Sequence, residues 1–261
     1  MKILCVGDIM GRPGRRVVRE LLPDLLKKKK IDYCIANGEN MAHGKGFTTK
    51  TVTEMQKAGI DFFTGGNHSF DVEEFMREYK KDETPVIRPE NYGNNVPGKG
   101  HVMIETKKGN ILLINLIGRI LMDKNYEDPF KALDDILEEY KERELEAIIL
   151  DFHAETTAEK YTMREYVKGK VSVMFGTHTH VPTADAHISE GLGYITDLGM
   201  CGAVDSSIGL SAKDGIEKFR SQGNVKMEME TKFPYYLRAL VVECENKICK
   251  SIELIQLKIE H

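Results

Sequence analysis

Residues 2–40 read KILCVGDIMGRPGRRVVRELLPDLLKKKKIDYCIANGEN, and their pattern decides the fold class. Ile3 to Gly7 is a short apolar run, long enough for a buried strand and too short for a helix. From Arg12 to Lys29 the apolar residues fall at Val17, Val18, Leu21, Leu22, Leu25 and Leu26, a helical period, and Pro13 suits a first turn. Tyr33 to Ala36 predicts a second strand. Working outward, Thr48 to Ala58 reads as a helix ended by Gly59, and Asp61 to Thr64 as a third strand. Asp71 is placed to cap a helix running to about Tyr79. Strand and helix alternating in this way imply a parallel sheet with helices on its faces.

Further along, Glu146 to Leu150 and Ser172 to Phe175 predict buried strands, with a helix over Thr157 to Val167 between them. Asp128-Pro129 is a cap followed by proline and opens a helix through Tyr140. Three stretches read as hairpins: Val102–Thr106 with Ile111–Leu116 around Lys-Gly-Asn, Ala184–Ile188 with Tyr194–Thr196 around Glu-Gly-Leu-Gly, and Tyr235–Glu243 with Ile248–Ile255 around Glu-Asn-Lys. A parallel half followed by β pairs predicts an α/β fold of two packed β-sheets with helices outside. The 261 residues suit one domain over 1–261, and 41% hydrophobic residues supply its core. Pro89 to Gly100 is an internal loop rather than a linker.

A net charge of −4 argues against a duplex-DNA partner held by bulk charge, though a bound metal can still supply local positive charge for a phosphorylated substrate. Lys27 to Lys30, the one basic run, complements a helix C-terminus. The five cysteines, Cys5, Cys34, Cys201, Cys244 and Cys249, contain no Cys-x-x-Cys pair and suit a reducing compartment. The first residues make no signal peptide, and no run approaches the roughly 18 apolar residues of a membrane span. A cytoplasmic protein without a membrane partner is expected.

The polar residues that interrupt this pattern sit at the ends of predicted strands. Asp8 ends the first, Glu39-Asn40 lies past the second, and Asn67-His68 past the third. His153 follows the fourth, and His178 and His180 the fifth. Sites in open α/β sheets form along the carboxyl edge of the strands, so these residues are expected to converge. Glycines 7, 38, 65, 66 and 176 accompany them, as suits sharp turns or close packing. Three imidazoles, an amide oxygen and two carboxylates form a mixed nitrogen and oxygen set that suits Mn, Fe or Zn better than Ca or Mg. They are too many for one tetrahedral ion. A carboxylate can bridge two ions, and two-metal sites carry displacements at phosphorus.

Each residue taken alone has a plainer use. Asp8 suits an N-cap, Glu39 a solvated loop, Asn40 and Asn67 turns with positive φ, and His153 a hydrogen-bonded position under a sheet. His178-Thr179-His180 is harder to dismiss, because residues two apart in extended chain point the same way. Joint occurrence at five strand ends favours function. Gly7 to Gly14 also resembles a phosphate loop between strand and helix, but it lacks Gly-x-Gly-x-x-Gly spacing and a Gly-Lys-Ser/Thr. Arg12, Arg15 and Arg16 near that helix start either meet phosphate or stay exposed. The Asp197 to Gly209 loop either borders the pocket or is a structural turn. Cys201 in that loop reads as a packed thiol rather than a nucleophile, and no Gly-x-Ser-x-Gly elbow occurs.

At these residues the chain resembles the calcineurin-like metallophosphoesterases, whose pattern is Asp-x-His, Gly-Asp, Gly-Asn-His, a lone His and Gly-His-x-His. Here the corresponding segments are Asp8-Ile9-Met10, Gly38-Glu39-Asn40, Gly66-Asn67-His68, His153 and Gly176-Thr177-His178-Thr179-His180. Met10, Glu39, Ser69 and Thr177 depart from the broad pattern. The departures, with Arg88-Pro89-Glu90-Asn91-Tyr92 and Thr196-Asp197-Leu198-Gly199-Met200, resemble the bacterial YmdB-like branch. That likeness implies the four-layer α/β/β/α metallophosphoesterase sandwich, two mixed sheets flanked by helices. It implies two metal ions per chain, Fe or Mn with Zn as a third candidate. One would be held by Asp8, Glu39, Asn40 and His180, the other by Glu39, Asn67, His153 and His178. Glu39 would bridge, Asn40 would compensate for the histidine missing at position 10, and His68 would be the catalytic acid. The implied activity is a dinuclear-metal phosphodiesterase hydrolysing cyclic nucleotides, 2′,3′-cyclic ones favoured, by attack of a metal-bridged hydroxide on phosphorus. A phosphomonoesterase of the same fold and a non-catalytic nucleotide-binding or regulatory protein are the alternatives. A homo-oligomer is compatible with the family.

Overall fold

In the computed structural model, which describes residues 1–81, 83–93, 96–221 and 223–261, the alternating order opens the chain. It runs β1 (Lys2–Val6), β2 (Asp8–Ile9), α1 (Gly11–Lys29), β3 (Tyr33–Asn37), α2 (Thr49–Lys57) and β4 (Phe62–Thr64). Two 3-10 helices follow, Glu73–Lys80 and Glu90–Tyr92. Next come β5 (His101–Thr106), β6 (Gly109–Ile117), α3 (Pro129–Glu139), β7 (Ala147–His153), α4 (Thr157–Val167) and β8 (Val173–Thr177). The remainder is β9 (His187–Ser189), β10 (Leu192–Ile195), β11 (Met200–Ala203), α5 (Ala212–Ser221), β12 (Tyr235–Glu245) and β13 (Ile248–Ile259). Thr48 caps α2 and Asp128 caps α3, each with its side chain accepting from a first-turn N–H.

The strands form two sheets. One has the order β2-β11-β12-β1-β3-β4 with β13 also on β12, and the other β5-β6-β7-β8-β10-β9. All three predicted hairpins form, around Lys107-Lys108, Glu190-Gly191 and Asn246-Lys247. The last two turns have positive φ at both residues, the geometry that matches strand twist. The parallel strands and the later β pairs share both sheets, as the two mixed sheets implied by the resemblance require. Each sheet is mixed, because β12 pairs antiparallel with β1 while β5 and β9 extend the parallel run β6-β7-β8-β10.

Period-2 alternation sorts the side chains into layers. Ile3 and Cys5 of β1 face Leu113, Ile149 and Phe175 between the sheets. Leu4 and Val6 face the other way, against Val17, Val18 and Leu22 of α1 and Met55 of α2. On the second sheet, Leu112, Ile114 and Leu150 turn outward onto Leu133 and Ile136 of α3 and Met163 and Val167 of α4. Helices, sheet, sheet and helices therefore stack in four layers.

Parallel register brings the strand ends level. Asn37 pairs with Thr64 across β3 and β4, and His153 with Thr177 across β7 and β8. The polar residues that end these strands meet at one rim of both sheets.

Candidate metal centre

The first sheet supplies Asp8 from β2, Glu39 and Asn40 from the turn after β3, and Asn67 and His68 from the turn after β4. The second supplies His153, the last residue of β7, and His178 and His180 just past β8. All seven candidate ligands gather in two adjoining groups. In one, His153 Nε2 lies 3.0 Å from Asn67 Oδ1, 3.1 Å from Glu39 Oε1 and 3.1 Å from His178 Nδ1. In the other, His180 Nε2 lies 3.2 Å from Asn40 Oδ1 and 3.9 Å from Asp8 Oδ1. Asp8 also accepts from the His178 backbone N–H, which joins the groups. Glu39, His153 and His178 offer ligand atoms within 4.8 Å of one another.

The neighbours of each imidazole decide which nitrogen faces inward. His180 Nδ1 lies 3.0 Å from the Ile208 carbonyl, which can only accept, so Nδ1 carries the proton and Nε2 turns a lone pair inward. His178 Nε2 lies 2.9 Å from the Glu155 carboxylate, leaving Nδ1 for the centre. For His153 the Thr177 hydroxyl decides. It donates to Asp151 Oδ1 at 2.7 Å, so it accepts from His153 Nδ1 at 2.9 Å, and Nε2 faces inward. Asp151 is itself held by Asn37 and Thr64. Asn40 commits its amide N–H to the Gly44 carbonyl at 3.0 Å, which turns its oxygen toward His180.

The result is two clusters of acceptors with too few protons between them. Glu39, Asn67, His153 and His178 converge in one, and Asp8, Asn40 and His180 in the other. A proton on His153 Nε2 serves one neighbour at best, whereas a cation satisfies the whole set. The donor chemistry therefore fits metal ions.

Charge in the centre follows the same arrangement. Burial works against the Glu39 charge, but His153 and the His68 backbone N–H outweigh it and hold the carboxyl at about 2. Burial opposes protonation of His153 too, and Glu39 overrides it, raising the ring to about 9. His178 is driven down to about 3 by burial and then by His153. Burial pushes Asp8 well above the usual carboxylate range.

The backbone around the centre is tight. A Cβ on Gly66 would lie 2.3 Å from both Glu39 Oε2 and His153 Nε2, and one on Gly176 would lie 1.8 Å from the Thr196 carbonyl. Met10 is buried and packs toward Gly209 and Gly44. The Asp197 to Gly209 loop does border the centre, through Ile208, but it contains β11, so Cys201 is a strand residue. Its thiol is buried and pushed up to about 12, first by burial. Arg15 is tied to Glu54 at 2.9 Å and Arg16 to Glu20 at 2.7 Å, while Arg12 is exposed.

Asp71 does not cap the segment after β4. Val72 precedes that 3-10 helix, and the Asp71 carboxylate lies 2.8 Å from His68 Nδ1. An acid three residues past His68 thus partners its ring. Sequence reasoning also missed Asp151, Thr177, Glu155 and Lys160 as supports. An aspartate inside the apolar run Ile148–Phe152 was the available signal for the first.

Comparison with known proteins identifies the chain's relatives. The model of the family described as YmdB-like protein matches residues 4–255. A Bacillus subtilis (strain 168) protein named 2′,3′-cyclic-nucleotide 2′-phosphodiesterase is 36% identical over 255 residues, 97% of this chain and 95% of its own. The crystal structure of a hypothetical protein from Thermus thermophilus superimposes with a TM-score of 0.92 at 35% identity, covering 99% of both chains. That of a novel phosphatase from Mycoplasma pneumoniae gives 0.92 at 32% identity, covering 99% of this chain and 93% of its own.

Proposed function

The chain belongs to the YmdB-like family, and from that premise we propose that it is a metal-dependent phosphodiesterase that opens 2′,3′-cyclic nucleotides. The observation that carries the reading is the pair of acceptor clusters at the rim of the two sheets. Asp8, Glu39, Asn40 and His180 would hold one ion, and Glu39, Asn67, His153 and His178 the other, with Glu39 shared. Iron or manganese suits this mixed set, and zinc is a third candidate. When bound, such ions lower the pKa of water and neutralise charge on phosphoryl oxygens.

The chain's own residues do the rest. Asn67 and His68 adjoin in the turn after β4, so the acid stands beside the ligand set. His68 gives its Nε2 proton to the departing 2′-oxygen as water adds to phosphorus, leaving a 3′-phosphate monoester. Asp71 on Nδ1 orients that ring. The Tyr92 hydroxyl donates to the Asn67 carbonyl at 2.7 Å and steadies the turn. The relative named as a 2′,3′-cyclic-nucleotide 2′-phosphodiesterase supports the substrate class. The five cysteines, all free and buried, support a cytoplasmic setting, and among the described residues no helix is long and apolar enough to cross a membrane.

The test combines elemental analysis of protein purified without chelator with a panel of 2′,3′- and 3′,5′-cyclic nucleotides and a phosphomonoester, followed by phosphorus NMR. Two equivalents of metal and a 3′-phosphate product are expected. Glu39→Gln should deplete both ions. Metal-free protein that stays inactive after adding Fe or Mn would sink the reading. A phosphomonoesterase, the reading favoured by the description of the Mycoplasma structure, would turn over only the monoester.

A further inference from the structure

Apart from the ligand set, the most deeply enclosed ion pair among the described residues joins Lys160 of α4 to Asp197, between β10 and β11. Their side chains are 0% and 1% exposed, with Nζ and Oδ2 2.7 Å apart. Removing two charges from water is expensive, and an apolar pair of similar volume usually serves stability as well. The partners of this pair suggest another use. Lys160 Nζ donates to the Thr177 carbonyl at 2.9 Å. Asp197 Oδ2 accepts from the Thr179 hydroxyl at 2.8 Å and from the Thr179 N–H at 3.3 Å. Asp197 Oδ1 accepts from the Gly199 N–H at 2.7 Å, which fixes the carboxylate itself.

Three of these four contacts land on Thr177 and Thr179, the residues on either side of His178. That segment needs restraint, because His178 has φ +96° and His180 φ +65°, both in the left-handed region that side chains with a Cβ avoid. Such backbone persists only where its surroundings over-determine it. The Met200 N–H adds a tether by donating to the His180 carbonyl at 3.1 Å.

We propose that Lys160 and Asp197 are positioning residues that clamp segment 177–180 in the strained form that aims His178 Nδ1 and His180 Nε2 at the metal centre. Neither touches a ligand atom or the reacting group. The clamp rests on the metal reading above and extends it to residues outside the ligand set. It links α4 and the β10–β11 connection to the placement of two ligands that follow one strand.

The test measures Mn²⁺ affinity of chelator-treated protein by competition with a chromophoric chelator, alongside urea unfolding. The double variant Lys160→Met with Asp197→Asn leaves no uncompensated charge. It should stay folded and bind Mn²⁺ about 10- to 100-fold more weakly, the usual effect of losing groups that orient metal ligands. Thr179→Val removes one hydroxyl and should weaken binding several-fold, whereas Thr179→Ser, which keeps the hydroxyl, should bind like the parent. If the double variant does not fold, the Thr179 pair decides the matter. Parent-like affinity in a folded double variant, or equal affinity in the two Thr179 variants, overturns the clamp and leaves the metal reading standing. A parent protein that takes up no Mn²⁺ overturns both.

Discussion

His68 stands at the edge of the centre with its side chain 24% exposed, open enough to meet a substrate and anchored through Nδ1 by Asp71. On the proposed mechanism, replacing it with alanine removes a proton donor without removing a ligand. His68→Ala should therefore lower kcat by about 100-fold or more while metal content stays at the parent value. Asp71→Asn keeps an acceptor for Nδ1 but removes the carboxylate that orients the ring, so its loss should be smaller, about tenfold. Steady-state kinetics and elemental analysis on the same preparations check both. Residues of this kind were legible where chemistry and strand end coincide, as at Asp8, Glu39 and the two histidines after β8. Asp71 was not, because a helix cap and a histidine partner look alike three residues past a turn. Lys160 was not legible either. A lysine on a helix reads as solvated until α4 is seen to bury it against the sheet.

Among the elements, the short 3-10 helix Glu90–Tyr92 connects the fold to the chemistry. Asn91, 1% exposed, donates to the Ile117 and Glu127 carbonyls at 2.7 and 2.9 Å and accepts from the Ile117 N–H at 2.9 Å. Asn91→Ala would strand these buried groups and should destabilise the protein by about 3 kcal/mol, read as a lower urea midpoint. It should also lower turnover, since Tyr92 would lose the footing from which it holds Asn67. Two lysines flank the same mouth. Lys45 Nζ lies 4.0 Å from Asp71, and Lys124 lies 3.3 Å from the Tyr92 hydroxyl and over its ring. Changing both to alanine should raise KM for an anionic substrate and flatten the salt dependence of kcat/KM, with kcat little altered. Helices and hairpins could be read from sequence because their signals are local: caps, turn residues and a 3.6 or 2.0 period. β11 could not. Met200-Cys201-Gly202-Ala203 becomes a strand only by pairing with β2 and β12, neither of them adjacent in sequence.

For the molecule as a whole, the centre draws its candidate ligands from both sheets, four from the first and three from the second. Ions held there would staple the two sheets together, so stripping them should lower the unfolding free energy. At free metal about 100-fold above Kd the difference should be about 3 kcal/mol for each ion bound, measured as unfolding with and without added Mn²⁺. No change in midpoint on chelation would show that nothing is held across the rim. Four-layer stacking was predictable in outline, because apolar strands and amphipathic helices admit few arrangements. The mixing of parallel and antiparallel pairs followed from the family resemblance and not from the strand pattern, since the place of β12 beside β1 depends on contacts some 240 residues apart.

The oily seam between the sheets carries a consequence of its own. Leu113, fully enclosed there, lies on β6, a strand that contributes no candidate ligand. Trimming it to alanine would leave a hollow that lets one leaf settle against the other. Because the candidate ligands are divided between the leaves, a slip of an ångström would blunt turnover before the molecule melts. Alignment of this enzyme is thus kept in its grease, and variants that slow it without touching its chemistry should collect along that seam.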